Sequence, residues 1–237
     1  DIWSDKIIQD EYYRLDYKYW DPDVINKYEK LKQGNYPTIK SLNLINTSRG
    51  ISPNSDCYVD EKDGYALVIK AGELIIDSNS DWIEKNIYDE YLQRAEELNE
   101  NRNIVKNGDV LLASTGDGTL GKCCVYDKKF PAIADGHVTI IRVDKKVIDP
   151  YYLADYLRCG FGASQINRLY SGSTGLIELT PEQVDVILID IMLDKEGVDI
   201  QKKKSKSIRN IEKKYQKQIE KAEKTLIGIE DVWEETD

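Results

Sequence analysis

The chain has 237 residues, a formal net charge of −10 at pH 7, 41% apolar residues and 32% charged residues. This length and composition predict a globular protein of one large domain or two small ones. No apolar run reaches the roughly 18 residues of a membrane span, and no signal peptide is visible. We therefore expect a cytoplasmic protein with no membrane partner. Because the chain begins at Asp1 rather than Met, we also expect it to be a piece of a longer protein.

Four cysteines and one histidine limit the metal and disulfide chemistry of the chain. Cys57, Cys123, Cys124 and Cys159 contain no Cys-x-x-Cys spacing, and His137 is the only histidine. A structural zinc site needs about four such ligands at short spacings. A disulfide scaffold is also atypical at this chain length. The sequence therefore predicts reduced, mostly buried thiols and no metal site.

Charge is unevenly distributed along the chain. Residues 195–224 contain 11 Lys and Arg against 5 Asp and Glu, which gives +6, and residues 225–237 carry five acids and no base. Residues 1–194 then hold 22 bases and 33 acids, which gives −11. We predict a globular domain over 1–194 and a basic helix with an acidic tail over 195–237. Without a partner, the basic segment is interpreted as a solvated helix face.

The first half of the chain mixes predicted helices and strands. Asp21 is a suitable N-cap with Pro22 at the first helical position, which predicts a helix over 22–32 that ends at Gly34. The other predicted elements are a strand over 36–45, a loop over 46–56, a β-rich segment over 64–76 and a helix over 82–98.

The second half contains the densest β pattern. We predict strands over 107–115, 123–127 and 137–144, helices over 149–160 and 162–170, a loop over 171–175 and a buried strand over 185–191. Thr180, Pro181 and Gln183 form a capping-box pattern that predicts a helix start. The absence of a regular βαβ alternation predicts an α+β domain with a twisted mixed sheet and short helices.

A long helix is predicted over about 200–227. Its apolar positions follow helical periodicity and form one stripe, which we name the apolar seam: Ile208, Ile211, Tyr215, Ile219, Ala222 and Leu226. A helix of about 28 residues is roughly 42 Å long, which exceeds what a domain of this size covers. We expect this spacer helix to pair as a coiled coil with another helix. The alternative is that it packs back on its own domain.

The sequence contains no recognised catalytic pattern. It lacks the Gly-x-Ser-x-Gly and P-loop motifs. Residues 116–121 match Gly-x-Gly-x-x-Gly, but a β-like run follows them instead of the helix that would hold a pyrophosphate. We therefore predict a β-hairpin turn there and a non-catalytic chain.

Five segments occur in an order that is typical of a known family. They are "YYRLDYKYWDP" (12–22), "GDVLLASTGDGTLGKCCVYD" (108–127), "GHVTIIRVD" (136–144), "DPYYLADYLRCGFGASQINRLYSGSTG" (149–175) and "LTPEQVDVILIDI" (179–191). Together they resemble the DNA-specificity subunit of type I restriction-modification systems, in a form with a single target recognition domain. The resemblance covers roughly residues 10–227 and implies a recognition domain followed by a spacer helix.

The resemblance also implies a function and partners. In the family, two recognition domains each read half of a bipartite site on double-stranded DNA, and the spacer helices pair and dock adenine-specific methyltransferase subunits. This chain has one such domain and one such helix, so we expect a homodimer or pairing with a second recognition domain. Partner methyltransferases use a Pro-Pro-aromatic motif, and the six prolines here include no Pro-Pro. S-adenosylmethionine is therefore expected in the partner, and no cofactor in this chain.

Candidate DNA contacts are polar side chains in segments next to predicted strands. They are Ser48, Arg49, Lys70, Asn79, Ser80, Thr115, Lys122, Arg168, Ser171, Ser173 and Thr174. His137 is interpreted as a structural residue at a strand start.

Other functions stay open. The chain would fit the specificity region of a fused restriction-methylation enzyme, or a protein-interaction module that oligomerises through its C-terminal helix. An enzyme with an unrecognised site is a further alternative, for which a cleft gathering His137 with carboxylates would be the first sign.

Overall fold

The computed structural model describes residues 14–74, 81–97, 103–173, 175–191 and 195–234. In these ranges the helices are α1 (Pro22–Gln33), α2 (Ile39–Leu42), α3 (Lys85–Glu97), α4 (Pro150–Cys159), α5 (Phe161–Leu169), α6 (Pro181–Asp185) and α7 (Lys195–Glu234). Three single-turn 3₁₀ helices occupy Ser55–Cys57, Glu61–Asp63 and Ala71–Glu73. Among the described residues, no helix is both long enough and apolar enough to cross a bilayer.

The described strands are short and form three sheets. They are β1 (Ser48–Arg49), β2 (Tyr58–Val59), β3 (Ala66–Ile69), β4 (Asp81–Ile83), β5 (Ile104–Val105), β6 (Val110–Ala113), β7 (Cys123–Val125), β8 (Ala132–Ala134), β9 (Val138–Ile141), β10 (Ser171–Ser173) and β11 (Leu176–Glu178). A four-stranded antiparallel sheet has the order β1-β9-β6-β7. A five-stranded sheet has the order β2-β4-β3-β8-β5, in which β3 and β8 are parallel. β10 and β11 form a separate hairpin.

The two larger sheets are stacked, and their strands alternate between two faces. In β6, Leu111 and Ala113 face the five-stranded sheet, whereas Val110 and Leu112 belong to the core beneath the helices. Successive side chains of a strand point to opposite faces, so β6 contributes to both cores. This explains why the strand is apolar at every position rather than at alternate positions.

Helices cover both outer faces of the stacked sheets. α4 and α5 pack on the four-stranded sheet through residues such as Leu153, Leu157 and Ile166. α3 covers the outer face of the five-stranded sheet, where Tyr88 and Tyr91 pack on its core. The result is a layered α+β fold with a long C-terminal helix, which confirms the predicted fold class.

The structure confirms the two predicted helix starts at Asp21 and Thr180 and the predicted hairpin turn at 116–121. The Asp21 side chain accepts a hydrogen bond from Asp23 N at 2.9 Å, with Pro22 at the first helical position of α1. Thr180 and Gln183 form the expected capping box at α6. The glycine-rich segment 116–121 turns between the antiparallel strands β6 and β7, which confirms the hairpin turn.

The predicted strand over 36–45 is wrong. Its centre forms α2, because Thr38 and Ser41 cap each other's backbone N–H groups in a capping box. Ile39 and Leu42, three residues apart, are both buried on the face that this single turn presents to the core. Strand propensity was therefore overridden by a local cap and by burial.

The predicted strand over 185–191 is also wrong. Ile187, Leu188, Ile189 and Ile191 are buried as expected, but Val186 is exposed, and the segment makes only one isolated bridge, from Leu188 to Thr38. The backbone bonds from Ile39 N to Ile187 O and from Ile189 N to Pro37 O, each under 3.0 Å, hold the segment against the start of α2. A buried apolar run alone does not distinguish a strand from such an irregular segment.

Other elements differ in extent. The predicted loops over 46–56 and 171–175 contribute β1 and β10, and α3 starts at Lys85 because Asp81–Ile83 pairs as β4. The strands β2, β5 and β8, each two or three residues long, had not been predicted. α7 extends over 40 residues, beyond the predicted 200–227.

The start of α7 packs on α4. The amide of Asp149 donates to Gln201 Oε1 at 2.9 Å, and Arg209 Nη2 donates to Asp155 Oδ2. Val198, Gln201 and Ser205 are buried on this face, whereas every residue from 210 to 225 is exposed. The second half of the described helix therefore extends away from the domain.

Candidate nucleic-acid interface

Four separated segments meet at one edge of the four-stranded sheet, which we call the polar edge: Arg49 of β1, Thr115 after β6, His137 before β9 and the β10–β11 hairpin. Ser114 N donates to His137 O at 2.9 Å, and Thr115 forms a bridge with Glu178 of β11. Gly116 N also donates to Ile177 O at 3.0 Å. The hairpin is thus attached to the glycine turn through its backbone.

An ion pair lies at the centre of the polar edge. The Arg49 guanidinium donates to the Glu178 carboxylate, and the two side chains keep 27% and 43% of their surface exposed. Glu178 is paired across the hairpin with Ser171, another predicted DNA contact. The carboxylate of Glu178 therefore neutralises Arg49, a predicted DNA contact, while leaving its guanidinium accessible to solvent.

A second carboxylate lies within the electrostatic reach of Arg49. The pKa of Glu182 is lowered by a hydrogen bond from its own backbone N–H, by the Thr180 side chain and by the charge of Arg49. The positive charge of Arg49 is therefore shared between the hairpin and the first turn of α6.

His137 belongs to the polar edge, although its role was predicted to be structural. Its Nδ1 lies 2.8 Å from Thr115 Oγ1, and the residue is exposed. Its backbone N–H donates to Asp135 Oδ1 at 2.9 Å. Burial raises the pKa of Asp135, and the hydrogen bond from His137 partly opposes this effect. The sequence signal was available, since His137 follows a turn-forming Asp-Gly directly before a strand.

The β10–β11 hairpin depends on a glycine. Gly172 has φ of +109°, and a Cβ placed there would lie 2.0 Å from the carbonyl oxygen of Leu176. No other residue type fits this position without moving the opposite strand. Leu176 is 81% exposed, so the hairpin projects from the domain instead of adding to a core.

Lys70 lies at the end of β3 and is also paired. Its Nζ is 2.6 Å from Asp81 Oδ2 and 4.6 Å from the centre of the Tyr58 ring. The charge of Lys70 also acts on Asp135, which precedes the polar edge. Arg49 and Lys70, two of the predicted DNA contacts, are therefore each paired with a carboxylate.

Arg168 has a structural set of contacts. Its Nε donates to Tyr19 O at 2.8 Å, and its guanidinium lies 4.2 Å from the centre of the Tyr19 ring. Arg14 reinforces the same junction by donating to Tyr170 O at 2.8 Å. These contacts of Arg168 attach the aromatic segment 14–20 to α5. That Arg168 contacts DNA stays a prediction.

Lys122 lines a cleft of about 790 Å³ between the glycine turn and the α4–α5 pair. Cys123, Cys124 and Cys159 also line it. Burial raises the pKa of Cys124 to about 12, and the Cys124 thiol donates to Leu74 O at 3.1 Å. Burial also raises the pKa of Cys123, so the thiols of Cys123 and Cys124 are not poised as nucleophiles. Of the four cysteines, Cys123 alone is buried, Cys57 and Cys124 are half-buried and Cys159 is exposed, so the prediction of mostly buried thiols is wrong.

The remaining predicted DNA contacts are Ser48, which the structure describes, and four residues that it describes in part or not at all. Ser48 lies in β1, paired with Ile140. Asn79, Ser80 and Thr174 fall outside the described residues, as does the side chain of Ser173. Arg49, Thr115 and Ser171 are thus the predicted residues that the structure brings together. Within the described ranges, no three His, Cys, Asp or Glu side chains are grouped to hold a metal ion.

No protein-family model and no curated relative matches the sequence. Three solved structures are similar to the chain in part. One is described as the structural basis of complex assembly and conformational transition of the type I R-M system, with 14% identity and a TM-score of 0.47 over 81% of this chain and 45% of that chain.

The other two are S subunits. The type I restriction-modification S subunit from M. genitalium is 14% identical, with a TM-score of 0.40 over 63% of this chain and 32% of that chain. The HsdS subunit from Thermoanaerobacter tengcongensis is 12% identical, with a TM-score of 0.40 over 80% of this chain and 45% of that chain. The chain spans less than half the length of each of the three structures.

Proposed function

We propose that the chain is a DNA sequence-recognition subunit of a type I restriction-modification system, which reads one half of a bipartite target. The observation that carries this proposal is the convergence of Arg49, Thr115 and Ser171 at the polar edge. These residues come from three distant segments of the sequence, and each is a polar residue that the sequence analysis predicts as a DNA contact.

The polar edge has the groups that DNA recognition requires. Arginine donates in a planar fork to phosphate or to guanine, and hydroxyl, imidazole and exposed backbone N–H groups complete a mixed donor and acceptor surface. The projecting β10–β11 hairpin is a two-stranded ribbon, a shape that the major groove admits. Glu178 of this hairpin is bridged to Thr115 on one side and paired with Ser171 on the other, so the three residues follow one another across the polar edge.

The C-terminal helix supplies the second part of the proposal. Ile211, Tyr215 and Ile219 of the apolar seam are 50–62% exposed. We propose that the seam pairs with the helix of a second copy or of a second recognition domain, which would place two polar edges at a fixed separation on one duplex.

Catalysis is assigned to a partner. The recognition subunit would dock adenine-specific methyltransferase subunits, which would bind S-adenosylmethionine and modify the half-sites. If the chain is instead a piece of a fused enzyme, the same recognition role applies to this region of the longer protein.

Sequence selection from a random duplex pool tests this function directly. The chain is incubated with the pool alone and together with an adenine methyltransferase encoded beside it, and the retained duplexes are sequenced. We expect an enriched half-site, and a repeated or palindromic arrangement if two copies pair. Absence of enrichment in both arms would overturn the recognition function and favour a protein-interaction module.

A matched pair of variants localises the activity. Arg49→Ala should reduce the enrichment, because it removes the only charged donor at the centre of the described polar edge. Arg94→Ala removes an exposed arginine from α3, on the outer face of the other sheet, and should leave the enrichment unchanged. Equal effects of the two variants would argue that the polar edge is not the reading surface.

A further inference from the structure

Eight lysines of α7 lie along one side of the helix. At about 100° per residue they fall within a sector roughly 120° wide. We call them the lysine stripe: Lys202, Lys203, Lys206, Lys213, Lys214, Lys217, Lys221 and Lys224, all of them exposed. Glu220 is the only acid of residues 202–224 inside this sector, and it lies at the rim. The stripe is therefore strongly positive.

The lysine stripe lies opposite the apolar seam. The centres of the two rows are separated by about 160° around the helix axis at 100° per residue. Val198, Gln201 and Ser205 pack the first turns of α7 on the domain without covering these lysines. A partner helix that covers the apolar seam would therefore leave the lysine stripe accessible.

Length and charge identify the kind of partner that fits. Lys202 and Lys224 are about 33 Å apart along the axis at 1.5 Å per residue. One turn of duplex DNA measures about 34 Å and carries a charge every 1.7 Å of its axis. Residues 1–194 have a net charge of −11, so the stripe is the part of the chain that attracts a polyanion.

We infer that the lysine stripe binds the phosphate backbone of duplex DNA without reading its sequence. This inference rests on the proposed recognition function and deepens it, because a bipartite target contains unread base pairs between its halves. Lysine ammonium groups on flexible stems act as point charges and suit such contacts better than base recognition. The stripe would hold the intervening duplex while the polar edge reads the half-site.

The test compares two triple variants of equal charge change. Lys214→Gln, Lys217→Gln and Lys221→Gln neutralise three of the five lysines of the stripe that lie beyond the contact with α4. Lys128→Gln, Lys129→Gln and Lys146→Gln neutralise three exposed lysines of the domain. Gln and Lys have similar helix propensities, so α7 should stay helical, which circular dichroism checks.

Binding is measured by fluorescence anisotropy on a random-sequence duplex of about 30 bp, roughly three helical turns. Salt is titrated from about 50 to 200 mM, where each phosphate contact contributes about 0.9 to the slope of log K against log salt. The stripe variant should lower the slope by up to about 2.7 if three contacts are lost. The domain variant should keep the wild-type slope, and the selected half-site should be the same in all three proteins.

The outcomes separate this inference from the proposed function. Wild-type slope in the stripe variant, with the half-site still selected, overturns the inference alone. Loss of methyltransferase association with an unchanged slope also overturns it and assigns the stripe to a protein partner. A reduced slope with no sequence selected by any of the three proteins supports the stripe and overturns sequence recognition.

Discussion

Arg49 and Glu178 join two parts of the chain that are 129 residues apart, and their ion pair forms the centre of the polar edge. If Arg49 contacts a DNA phosphate, its guanidinium either gives up the hydrogen bond to Glu178 or contacts the carboxylate and the phosphate together. Because a carboxylate beside the backbone repels phosphate, the pair lowers the affinity for any duplex. A partly exposed ion pair contributes little to the stability of the fold. We therefore expect its main effect to be a lower affinity for non-specific DNA.

Glu178→Gln should accordingly strengthen binding to random duplex DNA. We expect an affinity gain of several-fold and a salt slope larger by up to about 0.9, which corresponds to one additional phosphate. Glu182→Gln is the matched control, since it makes the same charge change next to Arg49 without a direct contact. Weaker binding by the Glu178 variant would show instead that the carboxylate orients Arg49 for recognition.

Asp155 is expected to determine how firmly α7 is held on the domain. This buried carboxylate accepts from Arg158 Nη2 at 2.8 Å and also from Arg209 of α7. Asp155→Asn should lower the free energy of unfolding by about 1–3 kcal/mol, because it removes the charge between two guanidinium groups, which are partly solvated. Urea unfolding followed by circular dichroism measures the loss.

Glu212→Gln provides the comparison for Asp155. It removes the Arg158–Glu212 contact, in which both side chains are more than 30% exposed, and should cost less than about 1 kcal/mol. If both variants lose the same stability, the buried position of Asp155 has no special importance for docking of the helix.

Local signals predicted the elements that are built locally. The caps at Asp21 and Thr180 and the periodicity of α7 depend on residues within a few positions of one another, so the sequence contains them. The segment 36–45 was misread because one capping turn at Thr38 outweighed a strand-like composition. The strands β5 and β8 were missed because their pairing is decided by segments distant in the chain.

The same distinction applies to the polar edge. The residue types at Arg49, Thr115 and Ser171 indicated polar contacts, and the structure gathers them. The partners of these residues were not predictable, because the carboxylate of Glu178 reaches Arg49 only through the three-dimensional position of the hairpin. Arg168 shows the converse, since its contact with Tyr19 joins segments separated by 149 residues.

Gly172→Ala should disrupt the β10–β11 hairpin and with it the selection of a half-site. The added Cβ meets backbone at 2.0 Å and the positive φ adds strain, so the hairpin must shift. Because the hairpin is exposed, we expect at most about 1 kcal/mol lost from global stability. Gly118→Ala also has a positive φ but meets no atom within 4 Å, so it serves as the control. Retained selection in the Gly172 variant would exclude the hairpin from recognition.

Asp135 should make stability depend on pH. Burial raises its pKa in the folded state, so the folded protein binds a proton more tightly than the unfolded chain does. Stability contributed by this group is therefore lost as pH rises from the unfolded pKa through the folded one, and the full penalty applies at neutral pH. Asp135→Asn keeps an acceptor for His137 N and should stabilise the protein more at pH 7 than at pH 4. An equal effect at both pH values, measured by urea unfolding, would contradict this assignment.

The apolar seam of α7 is expected to control whether the chain dimerises. Ile211 and Ile219 are each about half exposed on a helix that extends beyond the domain, and two buried isoleucines in a helix pair would contribute several kcal/mol to association. Ile211→Glu with Ile219→Glu should convert a dimer to a monomer in sedimentation equilibrium experiments. Asn210→Glu with Lys217→Gln makes the same total charge change on the other side of α7 and should leave the dimer intact. If wild type and both double variants sediment identically, the seam does not pair two copies of this chain, and its partner must be a helix of a different protein.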